Sequence, residues 1–368
     1  MTTSVSPSIV ARFRQDIQSM QAYAIQDARG MIKLDAMENP FALPAHLQTA
    51  LGERLSKVAL NRYPGDCVTQ VRAALAKYAH LPEGCELMLG NGSDELIALL
   101  ALACDVPGAA ILAPVPGFVM YEMSAKFQGL GFIPVDLTES FELDVKSMVL
   151  SIMQHKPAIT YIAYPNNPTA NAFDVSDVEE VIAACRATGG LVVMDEAYQP
   201  FAHDSYITRL GKPGYEHVLL MRTLSKFGLA GVRMGYLMGA AALISQVDKV
   251  RPPYNISALN CEAALFALEH SAEFARQAAV IKAERTVLSA HLMALPGVTV
   301  FDSQANMILV RVPNADAAFA ALKERCILIK NVSKMHRLLH NCLRLTVGAP
   351  EENLALINAL KYALKASS

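Results

Sequence analysis

ITYIAYPNNPTANAFDVSDVEEVIAACRATGGLVVMDEAY, residues 159–198, reads as one repeating unit of an α/β fold. Ile159 to Ala163 is a short apolar run of strand length, Val175 to Thr188 has the make-up of a helix, and Leu191 to Met194 is a second apolar run. Neither strand alternates apolar with polar residues. A strand of that kind is buried on both faces, and two of them joined through a helix run parallel beneath helices on either side. The polar residues are placed to match: Tyr164-Pro165-Asn166-Asn167-Pro168-Thr169 and Asp195-Glu196-Ala197-Tyr198 each follow a strand. Open parallel sheets bind their ligands beyond the carboxyl ends of the strands.

The alternation continues outward in both directions. Toward the N-terminus, Val68 to Tyr78 is helix-like, and Leu87 to Leu89 is a short strand that ends in Gly90-Asn91-Gly92-Ser93. Asp94 to Ala103 then reads as a helix, Ala110 to Ala113 as a strand and Tyr121 to Phe127 as another helix. Toward the C-terminus, the strand Val218 to Met221 leads into Arg222-Thr223-Leu224-Ser225-Lys226. Beyond about Pro252 the texture changes. A long helical region runs from Ala258 to His291, followed by strand-like Val298 to Phe301 and Met307 to Val312, a helix from Ala315 to Arg325, and strand-like Ile327 to Ile329 and Leu343 to Thr346. The pattern predicts an α/β chain: a large domain over 42–256, with a mostly parallel sheet covered by helices on both faces, and a smaller α+β domain over 257–368. Residues 1–41 form an N-terminal arm that packs with the small domain.

The 368 residues are 53% hydrophobic and only 18% charged, against a usual charged share of about 25%. So little charge covers a surface poorly, and a buried subunit interface is one remedy; the reading is an oligomer. Lys and Arg total 32, Asp and Glu 34, for a net charge of −2, which gives no electrostatic reason to expect nucleic acid or an anionic membrane as partner. No stretch approaches the roughly 18 apolar residues that span a bilayer, and the first residues, MTTSVSPSIVARFRQD, hold no apolar signal core. The seven cysteines form no C-x-x-C pair and read as reduced core residues of a cytoplasmic protein.

Four strand ends supply the candidate chemistry. Gly90-Asn91-Gly92-Ser93 before a helix is either a plain turn and cap or an anion site built from free N–H groups and the helix dipole. Asp195 is either a helix cap or a functional acid. Lys226 lies in LLMRTLSKFGLAGVRMGYLMG, where Arg222, Lys226 and Arg233 are the only charges, so a desolvated amine with a lowered pKa and nucleophilic character is expected. Other matches fail. Glu95 stands where a dinucleotide fingerprint needs its third glycine, and His336 and His340, at helical spacing, lack the glutamate of a zinc hydrolase, so no metal is expected.

The order of these motifs resembles the fold-type I aminotransferases that use pyridoxal 5′-phosphate, and within them the histidinol-phosphate subgroup. The resemblance covers nearly the whole chain: LDAMENP (34–40), NRYP (61–64), LGNGSDELI (89–97), PGFVMY (116–121), YPNNPT (164–169), DEAY (195–198), RTLSKFGLAGVRMGY (222–236), RPPYNIS (251–257) and LRLTVGAPEEN (343–353). It implies that Lys226 holds the cofactor as a Schiff base, that Asp195 keeps the pyridine nitrogen protonated, and that Asn167 and Tyr198 bond the ring oxygen. Phe118 would stack on the ring. Gly92, Ser93, Asp94, Ser225 and Arg233 would hold the phosphate, with Tyr63 reaching it from the neighbouring subunit of a homodimer with shared sites. Arg344 would take the anionic end of the substrate, with Tyr23, Asn39 and Lys330 about the same pocket. The implied reaction exchanges the amino group of L-histidinol phosphate with 2-oxoglutarate, giving imidazole acetol phosphate and L-glutamate in histidine biosynthesis. The alternatives on the same scaffold are an aromatic amino-acid aminotransferase and a threonine-phosphate decarboxylase. The chain departs from the subgroup at Lys330, where an arginine is usual, at Ala170, where a glycine is usual, and in a lysine motif one residue shorter than Ser-Lys-Ala-Phe-Gly.

Overall fold

The computed structural model describes residues 6–22 and 26–366. The first strand, β1 (Ile32–Lys33), is short. Seven longer strands then follow: β2 (Cys85–Gly90), β3 (Ala110–Val115), β4 (Gly131–Asp136), β5 (Ile159–Ala163), β6 (Leu191–Asp195), β7 (Val218–Thr223) and β8 (Gly235–Ala240). These seven form one sheet in the order β2-β8-β7-β6-β5-β3-β4. All its pairings are parallel except those of β8, which runs against both β2 and β7.

The apolar runs behave as their composition requires. Successive side chains of a strand point to opposite faces, so a strand covered on both sides needs apolar residues at every position. On β7, Val218 and Leu220 enter one core while Leu219 and Met221 enter the other. On β8, Tyr236 and Met238 share the first core and Leu237 lies in the second. The helix Ser93–Ala103 packs Leu96, Ile97 and Leu100 on the second face, and Val175–Thr188 packs Val178, Val181 and Ile182 on the first.

The C-terminal part builds β9 (Thr299–Val300), β10 (Met307–Arg311), β11 (Ile327–Leu328), β12 (Lys330–Asn331) and β13 (Cys342–Thr346). Four of these make an antiparallel sheet in the order β12-β13-β10-β9, while β11 pairs in parallel with β1. That pairing ties the N-terminal arm to the C-terminal part, and Leu34 and Met37 enter its core beside Ile308, Val310 and Leu345. Residues 6–22 also reach the large sheet's side: Arg14 donates to the carbonyls of Lys126 and Phe127, at 2.6 Å each.

The long helical region expected from 258 to 291 is two helices, Ala258–Glu269 and Ser271–Met293, that meet at His270. The first is apolar on nearly all sides, with Cys261, Ala263, Ala264, Leu265, Phe266 and Ala267 buried, and a helix of that kind must be covered all round. It therefore contributes Cys261, Ala264 and Leu265 to the large sheet's core and not to that of the antiparallel sheet. Among the described residues no helix is long and apolar enough to cross a membrane.

Candidate active site

The carboxyl ends of β5, β6 and β7 open onto one cavity of about 400 Å³, lined by Asn167, Asp195, Tyr198, Ser225, Lys226 and Arg233 among others. Ser93, Asp94 and Phe118 line it from the side of β2 and β3, and Ala36, Met37 and Glu38 close it from the N-terminal arm.

Lys226 follows β7 in a short helical turn over Ser225–Leu229. Its Nζ donates to the Ala36 carbonyl at 2.9 Å and lies 5.9 Å from the centre of the Tyr198 ring. Burial brings the amine's pKa down to about 8, helped by the nearby cations of Arg344 and Arg233 and opposed by Glu38. Asp195 ends β6 and is 4% exposed. Its Oδ1 accepts the Ala197 N–H at 3.0 Å and its Oδ2 accepts the Tyr121 hydroxyl at 2.7 Å. Burial lifts its pKa to about 6 against those two hydrogen bonds, with Asp94 and Glu196 adding to the rise.

Behind this pair lies a buried ion pair from the same motifs. Arg222 donates through Nε and Nη2 to Glu196 Oε2 at 3.0 and 2.9 Å, and Glu196 Oε1 accepts the Tyr206 N–H at 2.6 Å. This ties the ends of β6 and β7 together one residue beyond Asp195 and four before Lys226. Desolvated groups so fully bonded fix a geometry better than they add stability.

The glycine-rich turn forms a cup. Gly92 precedes the helix Ser93–Ala103 with φ +83°, a left-handed conformation that favours glycine, and a Cβ there would meet Arg233 Nη2 at 2.7 Å. A Cβ on Gly235 would lie 2.8 Å from Ser93 N. Ser93 and Asp94 open the helix, so their N–H groups have no carbonyl one turn back to accept them. The Gly92 N–H, expected to face an anion, is instead spent on the Gly90 carbonyl at 2.8 Å. Arg233 itself sits at φ +53° and reaches Asp94 Oδ2 at 3.5 Å. The Ser225 hydroxyl accepts from Thr223 Oγ1 at 3.0 Å, which leaves its own proton to donate.

Arg344, on β13, is 8% exposed and donates Nη1 to Asn167 Oδ1 at 2.7 Å and Nη2 to the Asp35 carbonyl at 2.7 Å. A guanidinium can only donate, so Asn167 turns its oxygen to Arg344 and its NH₂ is free to face the cavity. Lys330 on β12 stands directly opposite Arg344 across the antiparallel pair, so the two side chains share a face of the sheet. Asn39 is engaged elsewhere: its Nδ2 donates to Gln277 Oε1 and its Oδ1 accepts the Phe41 N–H, both at 2.9 Å. Tyr63 is 76% exposed and stacks on Tyr254 with ring centres 4.4 Å apart, away from this chain's own cavity. Tyr23 lies outside the described residues. Ala170, where the resemblance implies a glycine, is buried at φ +68°, a conformation that costs an L-residue about 1–2 kcal/mol.

Two residues of the site escaped the sequence reading. Glu38 lines the cavity and binds Lys33 Nζ at 2.6 Å. Tyr121 was legible only as a helix residue. The donor set and the cup together fit a phosphorylated pyridine aldehyde: an amine for the aldehyde, an acid for the ring nitrogen, and helix N–H groups with Arg233 for the phosphate.

The fold and this site define a transaminase scaffold. The structure aligns with that of the histidinol-phosphate aminotransferase from Sinorhizobium meliloti in complex with pyridoxal-5′-phosphate at a TM-score of 0.85, covering 97% of this chain and 99% of that one at 21% identity. The chain belongs to the aminotransferase class I and II family, whose model matches residues 29–360. The histidinol-phosphate aminotransferase of Methylibium petroleiphilum is 64% identical over 360 residues, 98% of this chain and 96% of its own length. That of Polaromonas naphthalenivorans is 63% identical over 362 residues, 98% of this chain and 99% of its own.

Proposed function

We propose that this protein is a pyridoxal-phosphate-dependent aminotransferase that takes the amino group of L-histidinol phosphate and passes it to 2-oxoglutarate, in histidine biosynthesis. The observation that carries the reading is the meeting of Lys226, Asp195 and the helix N-terminus at Ser93 in one cavity. The 64% identity over nearly the full length supports the substrate.

Bound there, pyridoxal phosphate supplies an aldehyde that condenses with amines and a ring that draws electrons from the neighbouring C–H bond. The chain's own residues do the rest. Asp195 holds the proton on the ring nitrogen by charge pairing, and Asn167 Nδ2 and the Tyr198 hydroxyl donate to the ring oxygen. Ser93, Asp94, Ser225 and Arg233 hold the phosphate. Lys226 Nζ takes the proton from the amine-bearing carbon of the donor and later returns one; with a pKa of about 8, roughly a tenth of it is uncharged at pH 7. Histidinol phosphate lacks an α-carboxylate, so its phosphate occupies the anion site that Arg344 and Lys330 build. A planar guanidinium serves there for phosphate and for the carboxylate of the acceptor alike.

Single-turnover amination of the bound cofactor, followed by absorbance, tests the substrate. Histidinol phosphate is expected to react faster than phenylalanine at equal concentration. A faster reaction with phenylalanine would sink the histidine-pathway reading and leave an aromatic aminotransferase.

We infer further a cytoplasmic homodimer with shared sites, in which a large domain over 42–256, with the helix Ala258–Glu269 packed into its core, binds the cofactor, and the rest of 1–41 and 257–368 forms the small domain. Support comes from the exposed Leu60, Tyr63 and Tyr254, an apolar patch that includes the tyrosine of the NRYP motif. Mixing inactive Tyr63→Ala and Lys226→Ala chains is expected to restore activity, because a mixed dimer contains one site free of both changes. With subunit exchange verified by mass, no recovery would mean that each site is built within one chain.

A further inference from the structure

Asp195 has a partner that no motif predicted. Tyr121, in the first turn of the helix Met120–Gln128, is 2% exposed and places its hydroxyl 2.7 Å from Asp195 Oδ2. The ring cannot swing away. It stacks on Tyr161 of β5 with centres 4.3 Å apart and planes 7° apart, and meets the Phe118 ring edge-on at 5.6 Å and 85°. The Tyr161 hydroxyl lies in the same buried layer and has no hydrogen-bond partner.

We propose that Tyr121 is a positioning residue for the cofactor acid: its hydroxyl fixes the Asp195 carboxylate in its rotamer and keeps it anionic where the ring nitrogen of pyridoxal phosphate is held. The inference rests on the cofactor reading above. Burial, Asp94 and Glu196 all favour a neutral carboxyl, while the Tyr121 hydroxyl and the Ala197 N–H favour the anion. Tyr161 and Tyr198 stand beside Tyr121, both buried, and neither bonds to Asp195. Glu196 is committed to Arg222. A neutral acid cannot hold a pyridinium by charge, so the cavity depends on the two donors to offset its own dryness. The Ala197 N–H is backbone and unalterable, which makes Tyr121 the side chain that sets the balance.

Asp195 has its pKa raised to about 6, so it is ionised above that pH. Removing the Tyr121 hydroxyl raises it further. Between the two values the parent protein is anionic and the variant is neutral, so the defect widens as the pH falls from 8 toward 6.

The test is the affinity of apo-protein for pyridoxal phosphate at pH 6, 7 and 8, read from fluorescence quenching and visible absorbance, with Tyr121→Phe against Tyr161→Phe. Tyr121→Phe is expected to bind roughly tenfold more weakly at pH 7, as befits loss of a hydrogen bond to a charged group, with a larger deficit at pH 6 than at pH 8. Its kcat should fall while the KM for the amine donor stays within about twofold, because the hydroxyl does not face the substrate's anion site. Tyr161→Phe, which removes a hydroxyl without a partner, should match the parent in all of these. A Tyr121→Phe binding curve that overlays the parent's, or a deficit equal at all three pH values, would overturn the proposal. Failure of the parent apo-protein to take up pyridoxal phosphate would overturn the cofactor reading with it.

Discussion

Lys226→Ala is expected to abolish turnover, by a factor on the order of 10⁴ or more, because in the proposed mechanism one amine serves as both cofactor anchor and proton carrier. Among the described residues lining the cavity it is the one lysine, and Lys33, behind Glu38, is tied to that carboxylate at 2.6 Å. Borohydride should fix pyridoxal phosphate irreversibly to the parent protein and not to the variant. Lys226→Arg should be equally inactive despite keeping the charge, since a guanidinium does not give up its proton at any pH the protein tolerates. The amine's pKa adds a second readout. Its value is lowered to about 8, so the uncharged fraction climbs about tenfold per pH unit up to that point and levels off above it. The rate at which apo-protein captures the cofactor should follow the same curve. Capture that still steepened beyond pH 10, or a reducible linkage in Lys226→Ala at the same site, would show that the anchor is another group.

The parts of this site that the chain states locally were legible, and those that depend on long-range meetings were not. Strand-end placement carries Lys226, Asp195 and Asn167, because a parallel sheet brings all its strand ends to one edge whatever lies between them. β4 went unread because Gly131 and Pro134 break its apolar run; it is an edge strand, where a proline costs no ladder bond. β8 was hidden by the glycines at 235 and 239, the first of which is required by the close approach of Ser93. The break at His270 has no proline or glycine to announce it. Tyr121 shows the limit most clearly. An aromatic at a helix start reads as core, and only the fold places it 2.7 Å from an acid that lies 74 residues further along. The contact between Arg344 and Asn167 spans 177 residues and is equally silent in sequence.

That contact makes Arg344→Ala the more informative of the two large losses. Arg344 is buried and holds both Asn167 Oδ1 and the Asp35 carbonyl, so alanine removes the group proposed to pair with the substrate's anion and releases the amide proposed to face the cofactor oxygen. Deleting one member of a desolvated charge pair costs about 3–5 kcal/mol. At about 1.4 kcal/mol per tenfold, catalytic efficiency should fall on the order of 10² to 10³ or more. The loss should appear with histidinol phosphate and with the dicarboxylate acceptor alike, since both take turns at one site. A third effect acts through Lys226. Arg344 is the main charge that lowers the lysine's pKa, so its removal should raise that pKa and shift the pH curve of cofactor capture upward. Lys330→Ala should cost less, because a lysine makes a point contact where arginine makes a fork, and its loss should weigh more on the dianionic phosphate than on a monocarboxylate. If Arg344→Ala lost efficiency with only one of the two substrates, donor and acceptor would have separate anion sites. An unshifted capture curve would mean that Arg344 exerts no field on Lys226.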